Sequence, residues 1–285
     1  MHLTISLAQM DVIVGQPEVN LVRVRNWVRQ AAEPFGGVYP QPRRGAQDRP
    51  QAEGRSGRSL VVLPELWGSG YDLAHAAQHA DELGTGLFAE MAALARTRGV
   101  YLAGSLLERR GGGFFNTAVL YGPGGNLLGH YSKAHLFRLM DEPQYLRAGD
   151  AMPVFDLPWG RTALAVCYDL RFPELFRHYA LEGAVLVVVP AQWPAPRVEH
   201  WRTLLRSRAI ENQMIVVGCN RVGRDGDDSE PFGGYSAIYD AWGQAVVEAE
   251  GNEETLLTGA VELSTVAQAR SFIPVFEDRR PDLYG

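Results

Sequence analysis

The stretch LAVCYDLRFPELF, residues 164–176, puts a cysteine at the last apolar position before Asp169, Arg171 and Glu174. Pro173 and Glu174 suit the first turn of a helix, Pro because its ring presets φ and Glu because a helix N-terminus is partly positive. A thiol at such a strand-to-helix turn projects from the sheet edge, and the N–H of the next residue, Tyr168, can face a developing oxyanion. Local context leaves two readings of Cys167 open: a nucleophile, or a buried structural cysteine of the kind common in cores.

An unperturbed thiol, with a pKa of about 8.5, is mostly protonated at neutral pH, so a working nucleophile needs a base or a cation beside it. Of the seven histidines, His135 and His200 stand in polar, turn-like contexts, and neither carries a local Cys-His hydrolase signature. A carboxylate is the other source of a base. Glu65, in VVLPELWGSGY, ends an apolar strand as Cys167 does, and enclosure there would raise its pKa into the range of a proton acceptor for a thiol. It reads equally as a solvated strand end. Lys133, in GHYSKAHLF, follows a hairpin and by itself reads as an exposed loop lysine.

Positioning these residues requires a layered scaffold. Apolar, β-branched runs recur at 59–65, 100–108, 162–167, 184–190 and 214–220, with LTISLAQ near the start, and all read as buried strands. Amphipathic stretches of helical length lie at 18–32, 83–98, 173–182 and 198–212, and this alternation predicts an α/β layered domain. FFNTAVLYGPGGNLLGHY and GGYSAIYDAWGQAVVEA each read strand, Gly-containing turn, strand, so the sheets are expected to be mixed. No fixed-period repeat or Pro/Gly/Ser-rich divider splits the core, and residues 1–285 read as one domain. The exception to good order is 34–59, where nine of 26 residues are Gly or Pro; it reads as a flexible surface insertion.

Composition narrows the partners. Twenty-seven basic against 33 acidic residues give a formal net charge of -6, which offers nucleic acid or an anionic membrane no general attraction. A small molecule is the expected partner. The start, MHLTISLAQM, lacks the pattern of a secretory signal, no apolar run is long enough to span a bilayer, and the expected location is the cytoplasm. Cys167 and Cys219 are then expected as free thiols, Cys219 within the core. Metal-ligand spacings such as HExxH and the GxxxxGK[ST] phosphate loop are missing, so neither metal nor cofactor is expected.

Taken together, LPELW, YSKAHLF and CYDLRFPELFR, in this order, resemble the Glu-Lys-Cys motifs of the nitrilase superfamily of carbon-nitrogen hydrolases. The likeness extends through AQMDVIVGQPEVN, FFNTAVLYGPGG and RAIENQMIVVGCNRVG, nearly the whole chain. It implies an α-β-β-α sandwich and homodimers. It also implies Glu65 as general base and acid, Lys133 as stabiliser of the tetrahedral intermediate and Cys167 as nucleophile. A second glutamate that usually follows the lysine is matched by Glu142 in DEPQYLRAGD, expected to orient Lys133.

Within the superfamily, KAHLFRLMDE, CYDLRFPE, AQWPAPRVEHWRTLLRSRAIENQ and NRVGRDG resemble the ω-amidase branch, which implies a terminal amide of a small carboxylate such as 2-oxoglutaramate or 2-oxosuccinamate as substrate. Arg171 would clamp that carboxylate or, alternatively, pair with Glu174 or Asp169. Trp193 reads as pocket wall or as core, Tyr168 as a neighbour of the substrate, and Asn116 as the holder of a turn. An N-carbamoyl amidohydrolase, another aliphatic amidase or nitrilase, and a non-catalytic binding protein on the same fold stay open as alternatives.

Overall fold

The structure, a computed structural model, describes residues 2–33, 58–226, 229–251 and 253–284. Its strands are β1 (His2–Gln9), β2 (Arg58–Val62), β3 (Tyr101–Arg110), β4 (Gly113–Tyr121), β5 (Leu127–Ser132) and β6 (Val154–Leu157). There follow β7 (Gly160–Leu164), β8 (Leu186–Ala191), β9 (Ile215–Asn220), β10 (Ala237–Tyr239), β11 (Ala245–Glu248) and β12 (Thr255–Glu262). They form two six-stranded sheets, ordered β12-β1-β2-β3-β4-β5 and β11-β10-β9-β8-β7-β6. Both are mixed. In the first, β1, β2 and β3 run parallel and the outer pairs antiparallel; the second repeats this with β7, β8 and β9 at its centre.

Alternation along the strands shows how the layers stack. Leu60 and Val62 of β2, Ala103 of β3 and Leu120 of β4 join one apolar cluster with Leu164, Val188 and Val217 of the second sheet. Their neighbours Val61, Leu102 and Val119 point the other way, onto Val24 and Val28 of the helix Pro17–Ala32 and Phe88 and Met91 of the helix Gly86–Arg98. The second sheet is covered by the helices Pro173–Leu181 and Val198–Asn212. At Gly218 of β9 the latter comes so close that a Cβ would stand 2.6 Å from Leu205 Cδ1 and 2.7 Å from Trp201 Cζ2, so only glycine fits. The result is the expected α-β-β-α sandwich. Each large aliphatic side chain buried between the sheets contributes roughly 1.5–3 kcal/mol relative to exposure.

The differences from the sequence reading are local. The strand expected over 162–167 stops at Leu164, and Cys167 opens a short 3-10 turn instead, with φ 44. Likewise β2 ends at Val62, because Pro64 has no N–H for the ladder, and Glu65 stands beyond the strand rather than at its end. Most of 34–59 lies outside the described residues, but Arg58 and Ser59 belong to β2. Among the described residues no helix is long and apolar enough to cross a membrane.

Candidate active site

Glu65 is delivered by the chain leaving β2, and the next six residues fold back over it. Leu66 takes φ 42 and Gly70 φ 61, a conformation suited to glycine, and Ser69 and Gly70 both donate N–H bonds to Leu66 O. Asn20 Nδ2 on Gly68 O and the Gly15 N–H on Ser69 O pin this turn from outside. It returns the hydroxyl of Tyr71 to 2.9 Å from Glu65 Oε1. The same oxygen receives Asn116 Nδ2 at 2.8 Å and Lys133 Nζ at 2.9 Å, while Oε2 receives the Gln192 N–H at 2.8 Å.

Lys133 follows β5, and its ammonium reaches Glu142 Oε1 at 2.6 Å as well as Glu65. Glu65, Lys133 and Glu142 are each 0 % exposed. Burial alone would disfavour the ammonium, but Glu142 and Glu65 outweigh it and hold the Lys133 pKa above the usual lysine value. The Tyr71 oxygen also lies 2.7 Å from Glu142 Oε1, and Glu142 Oε2 accepts the Phe137 N–H at 2.7 Å. Its pKa is raised by burial against the opposing pull of Lys133, with Glu65 adding to the rise.

Cys167 is held in its left-handed conformation by Asp169. The Asp169 carboxylate accepts the Val166 N–H, and the same side chain accepts Tyr131 OH, the His135 N–H and His135 Nδ1, all within 3.0 Å. One buried aspartate thus ties the cysteine turn to the loop that carries Lys133. The thiol pKa is pushed up by burial first, then by Glu65, against the opposing effect of Lys133; Glu142 adds to the rise. The Gln192 N–H, already on Glu65, also bears on the sulfur and favours its thiolate. A cysteine facing a carboxylate and an ammonium has both a proton acceptor and an electrostatic stabiliser beside it.

Cys167 opens on a cleft lined by Phe137, Tyr168, Arg171, Trp193 and Arg197. Tyr168 packs against the rings of Phe137 and Phe172. Arg171 pairs with neither Glu174 nor Asp169: its guanidinium lies over Trp193, 4.7 Å from the ring centroid, and meets His200 Nδ1 at 3.3 Å. Trp193 belongs both to the wall of this cleft and to the buried core. Among the described residues no group of three His, Cys, Asp or Glu side chains is arranged to hold a metal.

The structure therefore brings Glu65, Lys133, Glu142 and Cys167 together, with Tyr168, Arg171 and Trp193 at the cleft. His135 is engaged by Asp169, and His200 is exposed beside Arg171. Asn116 corrects its expected role: it sits within β4, not in a turn, and donates to Glu65, while its Oδ1 has no partner. Tyr71, Gln192 and Arg197 carry no spacing signal in the sequence. Only GSGY, with its glycines next to a tyrosine six residues past the acid, could have pointed to Tyr71.

Known proteins resemble this chain over most of its length. The carbon-nitrogen hydrolase family model matches residues 4–271. The chain is 36% identical over 285 residues, 100% of both chains, to a 2-oxoglutaramate amidase of Bacillus subtilis. It is 34% identical over 242 residues, 80% of this chain and 86% of the relative, to the human omega-amidase NIT2. Among solved structures, XC1258 of Xanthomonas campestris, a CN-hydrolase superfamily protein with an arsenic adduct in its active site, superposes with a TM-score of 0.84 at 29% identity over 98% of each chain. The chain belongs to the carbon-nitrogen hydrolase family of the nitrilase superfamily, and is an amidohydrolase acting on carbon–nitrogen bonds other than peptide bonds.

Proposed function

We propose that the protein is a cysteine-dependent ω-amidase, releasing ammonia from the terminal amide of a small dicarboxylate-derived substrate such as 2-oxoglutaramate. Two features support the reading: a buried thiol flanked by Glu65 and Lys133, and a cleft that carries two arginines beyond that thiol. The relatives named 2-oxoglutaramate amidase and omega-amidase point to the same substrate class.

In this mechanism Glu65 takes the Cys167 proton as Sγ attacks the amide carbon. The carbonyl π pair moves to oxygen, where Lys133 and the Tyr168 N–H stabilise it; loss of one such donor typically costs about 2.7–4 kcal/mol. The C–N bond then breaks, Glu65 returns the proton to nitrogen, ammonia departs and a thioester remains on Cys167. Water, deprotonated by Glu65, attacks the thioester, the C–S bond breaks, and the thiol is restored. Arg171 and Arg197 clamp the distal carboxylate through charge-assisted hydrogen bonds. The same family reading carries a homodimer, which light scattering of the purified protein checks.

The test is ammonia release from 2-oxoglutaramate, with the Cys167→Ala protein as blank. Turnover of N-carbamoyl amino acids, giving carbon dioxide beside ammonia, in preference to 2-oxoglutaramate would replace this substrate assignment with the carbamoyl one.

A further inference from the structure

The hydroxyl of Tyr71 stands within hydrogen-bond distance of two carboxylates, 2.9 Å from Glu65 Oε1 and 2.7 Å from Glu142 Oε1. A phenol has one proton to donate, so it satisfies one of these contacts as donor and must accept in the other. With both glutamates ionised, one contact would set lone pair against lone pair in a site without exposed surface, an arrangement that buried polar groups avoid. A further proton must therefore reside on one of the two acids.

Counting donors decides which. Glu65 Oε1 already receives Lys133 Nζ and Asn116 Nδ2, and Oε2 receives the Gln192 N–H. A proton on Oε1 would ask one oxygen to accept two bonds while donating a third, and would remove the base from the thiol. Glu142 Oε1 receives only Lys133 besides Tyr71, and a proton on Oε2 would face the donating Phe137 N–H. Placing the proton on Glu142 Oε1 satisfies every contact: Glu142 donates to the Tyr71 oxygen, Tyr71 donates to Glu65 Oε1, and Lys133 donates to both acids.

We infer that the resting enzyme carries Glu142 as a neutral carboxylic acid, and that Tyr71 is a positioning residue that converts this proton into a hydrogen bond keeping Glu65 ionised and ready to accept the thiol proton. Charge agrees with the count, since one buried ammonium then faces one buried carboxylate beside a neutral thiol. Burial also raises the Glu142 pKa, and burial together with both acids and Cys167 raises that of Tyr71, so the phenol remains a donor. The charged and titratable groups bearing on Tyr71 are Glu142, Glu65 and Cys167, and Lys133 completes the cluster. The inference rests on the proposed role of Glu65 as base, but its first test needs no substrate.

Difference infrared spectroscopy of the resting protein at neutral pH reads the C=O stretch of a protonated carboxyl directly. The expected band is present in the wild type, absent in Glu142→Gln and displaced in frequency in Tyr71→Phe. No such band, or a band that persists in Glu142→Gln, overturns the inference. In turnover, Tyr71→Phe withdraws a donor from the Glu65 carboxylate and should move the acidic limb of kcat/KM upward by roughly one to two pH units. A lower kcat with that limb unmoved would reduce Tyr71 to a packing role. Failure to hydrolyse any ω-amide would strike the substrate assignment and leave the infrared result standing.

Discussion

On one side of Cys167 lies a cluster of buried charges whose demands are met from within the protein; on the other lies a cleft whose charges are not. Both oxygens of Glu65 and of Glu142 have donors, and Lys133 stands between them. In the cleft, Arg171 rests on Trp193 and touches a histidine, and no carboxylate pairs with it among the described residues. The Arg197 guanidinium lies 3.6 Å from Glu230, and no other carboxylate among the described residues pairs with it. The first region is assembled before substrate arrives, which lowers the reorganisation needed at the reacting atoms. The second keeps planar donors free, which suits an anion that comes and goes.

The comparison breaks most severely at the cluster. Cys167→Ala should abolish ammonia release and, because it deletes a single heavy atom, leave thermal stability little changed, as paired activity and melting measurements would show. Lys133→Met should also abolish turnover, and by leaving the buried Glu65 carboxylate without its cation it should cost roughly 3–5 kcal/mol of stability at neutral pH. Glu142, whose pKa burial already raises, then loses the opposing pull of Lys133 and stands further above its unfolded value, so stability is lost as pH rises through the carboxylate range and regained on acidification. Urea melts from acid to neutral pH check the sign; a pH-independent deficit would mean that lost packing, not charge, sets the cost.

Smaller effects belong to the cleft. Arg171→Met should raise KM for a carboxylate-bearing amide by roughly ten- to a hundredfold, the worth of a charge-assisted hydrogen bond, with little change for a neutral aliphatic amide. Equal losses on both substrates would assign Arg171 to supporting Trp193. Arg197→Met should act in the same direction but less, because Glu230 already takes part of its charge. The smallest expected effect is kinetic: iodoacetamide alkylation of Cys167 should keep accelerating with pH beyond the ordinary thiol range, because the free enzyme's thiol is held protonated.

What the sequence disclosed follows from how local each signal is. Glu65, Lys133 and Cys167 each stand in a short local motif that singly keeps a structural reading, and it is their order as a set, resembling the nitrilase superfamily, that marks them. Asn116 and Gln192 act on Glu65 across 51 and 127 positions, and no local pattern encodes such contacts. Arg197 stands in AQWPAPRVEHW, a stretch that in the sequence carries a resemblance and Trp193 but no role for this arginine, and the path from β8 into the helix Val198–Asn212 brings it to the cleft. Of the strands, β6 is only four residues long and half exposed, while β12 includes Gly259 and Ala260, weak strand formers that find their place through β1.

Glu65 and Lys133 hang from the first sheet, Cys167 and Gln192 from the second, so the reacting groups face one another across the seam of the sandwich. Catalysis is thereby a gauge of how tightly the two halves are pressed together. A truncation between them, such as Leu120→Ala, would open a void costing about 2–5 kcal/mol, and it would widen the gap between acid and sulfur while each half kept its own helices and ladders. On warming, such a protein should fall silent as an enzyme before it loses its secondary structure.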